Sequence, residues 1–272
     1  MLQNNPIILP GSKTPAFIAF MIDQSSSMMN YSLGGGNRAE IAAMNVQNAI
    51  LGIITRCING CEVRNAAFIT VMGYGGYSTR IIRDGWVEDW VEDTLLAKTN
   101  STCVIPVIAE GIANMDEGFF CVLDLIKEWT SIREEGSNKE NYSELGSVVV
   151  VNITKGTTVN QEATYEAARE LMALQNTLLF NIVIPHDSYK NIEIYFPNTQ
   201  QTIADTCDPN QPEWLFDISS KLPIQVVGSL KSKGFEDVTE DSRGIILSMS
   251  DNIALDIIRL LFPFSDERIE YK

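Results

Sequence analysis

Four short runs along the chain are apolar at nearly every position and rich in β-branched or aromatic residues. They are AFIAFMI (16–22), AAFITVM (66–72), SVVVVNI (147–153) and LLFNIVI (178–184). Runs of this length and type predict strands buried on both faces. Between them lie longer stretches with helical spacing: RAEIAAMNVQNAILGIITRCI (38–58), TCVIPVIAEGIANMDEGFFCVLDLIKEWTSI (102–132) and NQEATYEAARELMALQN (160–176). Strands alternating with helices predict an α/β fold built on a doubly wound, mostly parallel sheet. One interval breaks the alternation. AFITVMGYGGYSTRIIRDGWVE (67–88) places two strand-like runs around a Gly-rich turn, which predicts one antiparallel edge strand.

Towards the end, WLFDISSKLP and a short segment PIQVVGSL precede RGIILSMSDNIALDIIRLLF (243–262), read as a strand and a closing helix with Asp251 placed to cap it. The stretch 186–212 is rich in Asn, Asp, Pro and Thr and reads as a surface excursion with one small strand, IEIYF (192–196). The organisation expected is a tail over 1–13, a single domain over 14–264 and a tail over 265–272. No internal repeat or low-complexity tract interrupts it.

Composition narrows the function classes. The 272 residues are 45% hydrophobic and 20% charged, ordinary for a globular protein, but the formal net charge is −15. Nucleic acid and anionic lipid attract clustered Lys and Arg, so both are poor partners for such a chain. No apolar stretch approaches the roughly 18 residues of a spanning helix, and the opening MLQNNPIILPGSKTP lacks the pattern of a signal peptide. Five cysteines (Cys57, Cys61, Cys103, Cys121, Cys207) are an odd number in a large chain and read as reduced thiols. The expected location is cytoplasmic.

The most informative residues are IAFMIDQSSSM (18–28), where a buried strand ends in Asp23 and is followed by Gln24, Ser25, Ser26 and Ser27. Ligands of open parallel sheets collect outside the carboxyl ends of the strands. Carboxylate and hydroxyl oxygens suit a hard cation such as Mg²⁺. Serines at this place also cap a helix or turn, with no further role.

Here the sequence resembles the von Willebrand factor A (VWA) family, whose metal-ion-dependent adhesion site (MIDAS) begins with D-x-S-x-S at the end of the first strand. Asp23, Ser25 and Ser27 match that pattern, and Thr102 in TNSTCVIPV occupies the place of the threonine the family supplies from a second loop. The resemblance runs from about residue 14 to about 264 and implies a Rossmann-like VWA fold and a non-enzymatic protein-binding module. It departs from the family in the fourth strand, where the family has Thr-Asp-Gly and this chain reads ITKGTTVN (153–160). Lys155 stands in place of the aspartate, a change of two charge units that makes magnesium binding weak or absent. One reading has the Lys155 ammonium filling the metal's space and pairing with Asp23. The other keeps the metal, with Lys155 turned outward and Asp187 or Glu162 supplying charge.

In either reading the loops holding Asp23–Ser27, Ser101 and Thr102, and Lys155 and Gly156 form a partner-binding face suited to an acidic side chain. The C-terminal part, LFDISSKLP with RGIILSMSDNIALDIIRLLF, is similar to bacterial VWA proteins associated with tellurite resistance. That likeness implies a scaffold in stress or phospho-signalling, with a PP2C-type phosphatase or a protein kinase as partner.

A hydrolase reading would make Asp23 a nucleophile, as in phosphatases of the haloacid dehalogenase type, but position 25 is Ser where those enzymes need a second acid. Gly34, Gly35 and Gly36 do not have the spacing of a phosphate-binding loop. His186, the single histidine, has no Ser or Cys elbow near it in sequence, and the four tryptophans read as packing residues.

Overall fold

The computed structural model describes residues 14–29, 36–76, 78–135, 146–186, 191–206 and 212–261. Both expected tails, Gly34, Gly35, Asp187 and Cys207 lie outside the described residues. In chain order the elements are β1 (Ala16–Asp23), α1 (Arg38–Cys57), β2 (Ile58–Asn59), β3 (Glu62–Val63), β4 (Ala67–Tyr74), β5 (Arg80–Trp86), α2 (Val87–Thr99) and α3 (Met115–Glu135). They continue with β6 (Val148–Thr154), α4 (Gln161–Ala173), β7 (Thr177–Val183), β8 (Ile194–Tyr195), α5 (Gln201–Ala204), α6 (Ile224–Ser232), β9 (Ile245–Leu247) and α7 (Ile253–Leu261).

All eight residues of β1 are buried, as are all seven of β6 and of β7, because helices cover the sheet on both faces. Ile18, Phe20 and Ile22 of β1 join a core with α1 and α7, while Phe17, Ala19 and Met21 join a second core with α3 and α4. The period-2 alternation of a strand thus divides a uniformly apolar run between two cores.

The sheet order is β5-β4-β1-β6-β7-β9-β8. β4, β1, β6, β7 and β9 are mutually parallel, with β5 antiparallel at one edge as expected and the two-residue β8 antiparallel at the other. This doubly wound arrangement places the end of β1 at the centre of the carboxyl edge, where β4 and β6 flank it.

Three local expectations are corrected. Val87–Thr99, not read as a helix, forms α2, whereas the helix expected from residue 102 begins only at Met115. Pro106 and Gly111, which has φ 71°, keep the stretch 102–114 extended. PIQVVGSL falls in α6. Asp251 does not cap α7: its side chain accepts from Asn252 (2.6 Å), and the N–H of Ala254 is taken by Asn45 Oδ1 of α1 at 3.0 Å.

Candidate functional site at the carboxyl edge

Asp23 is fully buried, and both its oxygens are engaged. Oδ1 accepts the Ser25 N–H at 2.9 Å and Oδ2 accepts the Thr154 hydroxyl at 3.1 Å. Thr154 Oγ1 in turn accepts the Gly156 N–H at 3.0 Å, and the Ser25 and Ser27 hydroxyls lie 2.7 Å apart. The loop after β1 is fixed by its neighbours. Gln24 donates its N–H to Tyr74 O (2.7 Å) and accepts from Glu110 N–H (2.8 Å), and Ser26 donates both N–H and hydroxyl to Gly111 O (3.1 and 2.9 Å). Gly76 and Gly111 form an isolated parallel bridge so close that a Cβ on Gly111 would stand 2.3 Å from Gly76 Cα.

Two cations approach this group. Arg38, the buried first residue of α1, donates Nε–H to Pro185 O and an Nη1 hydrogen to Ser27 O, each at 3.2 Å. Lys155 is half-buried and, among the described residues, makes no ion pair within 4 Å. The direct pairing of Lys155 with Asp23 read from the sequence is therefore not made, because Ser25 N–H and the Thr154 hydroxyl occupy the carboxylate. Lys155 acts on Asp23 through its field. Burial pushes the Asp23 carboxyl above its usual range, against the hydrogen bonds from Ser25 and Thr154 and the charge of Lys155. Burial likewise pushes the Lys155 ammonium below its usual value; Asp23 opposes this and Arg38 adds to it.

Gly156 has φ 98°, and a Cβ there would meet Pro212 Cβ at 2.7 Å. Its carbonyl accepts the Trp214 indole N–H at 3.0 Å, so the Lys155 loop is seated on the 3₁₀ turn Pro212–Phe216.

Of the residues expected from sequence, Asp23, Ser25, Ser27, Lys155 and Gly156 come together, and Ser101 and Thr102 do not. Thr102 donates its hydroxyl to Ala97 O (3.4 Å), and its carbonyl accepts from Gln47 Nε2 (3.0 Å). Gln47 is nine residues into α1 from Arg38, about 14 Å along the axis. The segment that reaches the loop after Asp23, at Gln24 and Ser26, is Glu110–Ala113, which has no hydroxyl side chain. Thr154 was missed as a site residue; its place immediately before Lys155, at the threonine of the family's Thr-Asp-Gly, was the available signal.

The donor set does not fit a resident divalent cation. Mg²⁺ takes about six oxygens in octahedral geometry. Here one carboxylate is committed to protein donors, two serine hydroxyls bond each other, and Lys155 and Arg38 bring positive charge. Glu162 is exposed in the first turn of α4. The amide nitrogen of Gln24, buried without a hydrogen-bond partner among the described residues, is a donor and not a metal ligand.

The sheet order and the placement of the D-x-S-x-S loop are those of a Rossmann-like fold of the VWA type. No protein-family model and no curated protein sequence matches the chain. Several solved structures are similar to the chain. The pilus adhesin SpaC from Lactobacillus rhamnosus GG aligns over 92% of this chain and 30% of its own, with TM-score 0.51 and 11% identity. The SpRpn10 VWA domain aligns over 90% of this chain and 94% of its own, with TM-score 0.47 and 14% identity. A von Willebrand factor type A protein from Catenulispora acidiphila aligns over 64% and 34%, with TM-score 0.41 and 13% identity. The chain spans about a third of the length of the first and third of these. At such identities the likeness is one of fold.

Proposed function

We propose that the chain is a non-enzymatic protein-interaction module that binds an acidic group of its partner at the face formed by Asp23–Ser27, Glu110–Ala113 and Lys155–Gly156. The observation that carries this reading is the half-buried Lys155 ammonium, held at the carboxyl edge with no carboxylate in ion-pair contact among the described residues. A partner carboxylate there would gain a charge-assisted hydrogen bond. Around it stand Ile112, 56% exposed, and Val159, 64% exposed, brought side by side by the Val159 N–H bond to Ala113 O (3.0 Å). Exposed apolar side chains rimming a polar centre are a common composition of interfaces.

In this reading Lys155 replaces an exchangeable metal with a tethered cation. Hydrolysis through Asp23 is disfavoured, since both carboxylate oxygens are buried and engaged and no free oxygen faces a substrate. The finer role, a cytoplasmic scaffold for a PP2C-type phosphatase or a protein kinase in bacterial stress signalling, rests on the resemblance of the C-terminal segment. The free thiols of Cys57, Cys61, Cys103 and Cys121 accord with a reducing compartment. Among the described residues no helix is long and apolar enough to cross a membrane.

Calorimetric titration of the metal-stripped chain with Mg²⁺ and Mn²⁺ tests the tethered-cation reading. The wild type should show no saturable binding at micromolar metal, and Lys155→Asp should gain it. Micromolar binding by the wild type that is lost in Ser25→Ala would overturn the reading. Partner capture with wild type and Lys155→Glu then tests the face, and equal recovery would exclude it.

A further inference from the structure

Lys155 is followed by a glycine whose backbone is gripped at both of its polar groups. The Gly156 N–H is donated to Thr154 Oγ1, itself bonded to Asp23, and the Gly156 carbonyl accepts the Trp214 indole N–H, each at 3.0 Å. The φ of 98° between them is one that residues with a Cβ rarely tolerate, and a Cβ there would also meet Pro212. The peptide units on either side of Gly156 are therefore fixed in direction, and with them the root of the Lys155 side chain.

The turn that supplies the indole is anchored independently of this loop. Trp214 and Leu215 are buried in the core shared with α3 and α4. The Trp214 ring lies 5.6 Å from that of Tyr165 on α4, and its carbonyl accepts the Tyr165 hydroxyl at 3.2 Å. Ser219 donates its hydroxyl to Leu215 O at 2.7 Å.

Charge says what the grip prevents. Lys155 and Asp23 each feel the other's field, yet the ammonium makes no ion pair within 4 Å among the described residues. An ammonium on a flexible stem beside a buried carboxylate gains by closing onto it, or by swinging out into water, and either move takes it away from a partner. Thr154 and Ser25 already hold the oxygens of Asp23, and the pinned backbone holds the stem. We infer that Trp214 is a positioning residue of the carboxyl-edge face: its indole N–H, acting through the Gly156 carbonyl, keeps Lys155 where an incoming acid can reach it. The inference rests on the reading of Lys155 as the group that meets a partner's acid. Without the indole N–H the buried Gly156 carbonyl loses its donor, and the loop shifts to satisfy it.

NMR of the full chain carrying isotope-labelled lysine side chains tests this, the Lys155 resonance being the one that Lys155→Arg removes. The protein is titrated with acetate, against chloride at equal ionic strength. In the wild type acetate should shift the Lys155 resonance saturably. Trp214→Phe keeps a ring in the core and should weaken that response several-fold. Gly156→Ala leaves the indole in place and strains the gripped residue, so it should weaken the response likewise and move the resonance before acetate is added. Both effects are read on folded protein, where a loss of stability alone does not produce them. A folded Trp214→Phe that keeps the wild-type response would overturn the inference, as would a folded Gly156→Ala with resonance and response unchanged. A wild type insensitive to acetate would overturn the reading of the face, and this inference with it; that failure is seen before any variant is made.

Discussion

Thr154 carries two hydrogen bonds on one oxygen, giving its proton to Asp23 and accepting that of the Gly156 N–H. Thr154→Val keeps the side-chain shape and leaves a buried carboxylate oxygen and a buried amide unsatisfied. The expected loss of stability is about 1–3 kcal/mol by urea denaturation. The sequence made Lys155 legible because a motif surrounds it, but a hydroxyl at the end of an apolar strand has no periodicity to single it out. Thr102 failed for the opposite reason. A threonine before an apolar stretch looks like a helix start, and only Pro106 and Gly111 betray that the chain there stays extended. Cys57 gives a separate test at this scale. Burial pushes its thiol from 9.0 up to about 11, so the folded state keeps a proton that the unfolded state has released. That contribution to stability is complete below pH 9 and is lost as pH rises through 11. Relative to Cys57→Ala, the wild type should lose on the order of 2–3 kcal/mol over this interval in pH-dependent denaturation.

At the scale of elements, the buried runs of β1, β4, β6 and β7 were readable because both faces of each strand need apolar residues. α2 was not. Its buried positions are Val87, Trp90, Thr94 and Ala97, a narrow stripe in which Trp90 is the one large apolar side chain, set among Asp and Glu. The cap of α7 was unreadable for another reason, since it comes from a residue more than two hundred positions earlier. Asn45, fully buried in α1, accepts from Ala254 N–H and donates to Ser250 O at 2.9 Å. Asn45→Ala should therefore cost about 2 kcal/mol and accelerate amide exchange throughout α7, with smaller changes in α4 on the other face.

Across the whole molecule, a buried polar chain links strands that the sequence could place only one by one. Tyr74 of β4 donates its hydroxyl to Asn152 of β6 (2.9 Å), Asn152 donates to Asn181 of β7 (2.9 Å), and Asn181 donates to Ser219 (2.8 Å). Each asparagine sits in a run of apolar residues, SVVVVNI or LLFNIVI, where it looks like an isolated polar intrusion. Register resolves it, because Asn152 and Asn181 are direct partners across β6 and β7. Replacing Asn152 by Leu should destabilise by about 2–3 kcal/mol, since it strands the Tyr74 hydroxyl and the Asn181 carbonyl. Adding Tyr74→Phe should then cost less than it does alone, a non-additivity measurable in a double-mutant cycle.

The indole of Trp214 is bonded to the carbonyl next to Lys155, whereas Trp86 and Trp129 pack with Phe17 and Phe68 at the amino ends of β1 and β4. Movement of the Lys155 loop therefore changes the surroundings of one tryptophan and leaves that distant pair unaffected. With Trp86, Trp90 and Trp129 replaced by Phe, the emission of Trp214 alone would become an unlabelled optical readout of what docks at the carboxyl edge, usable before any partner has been purified.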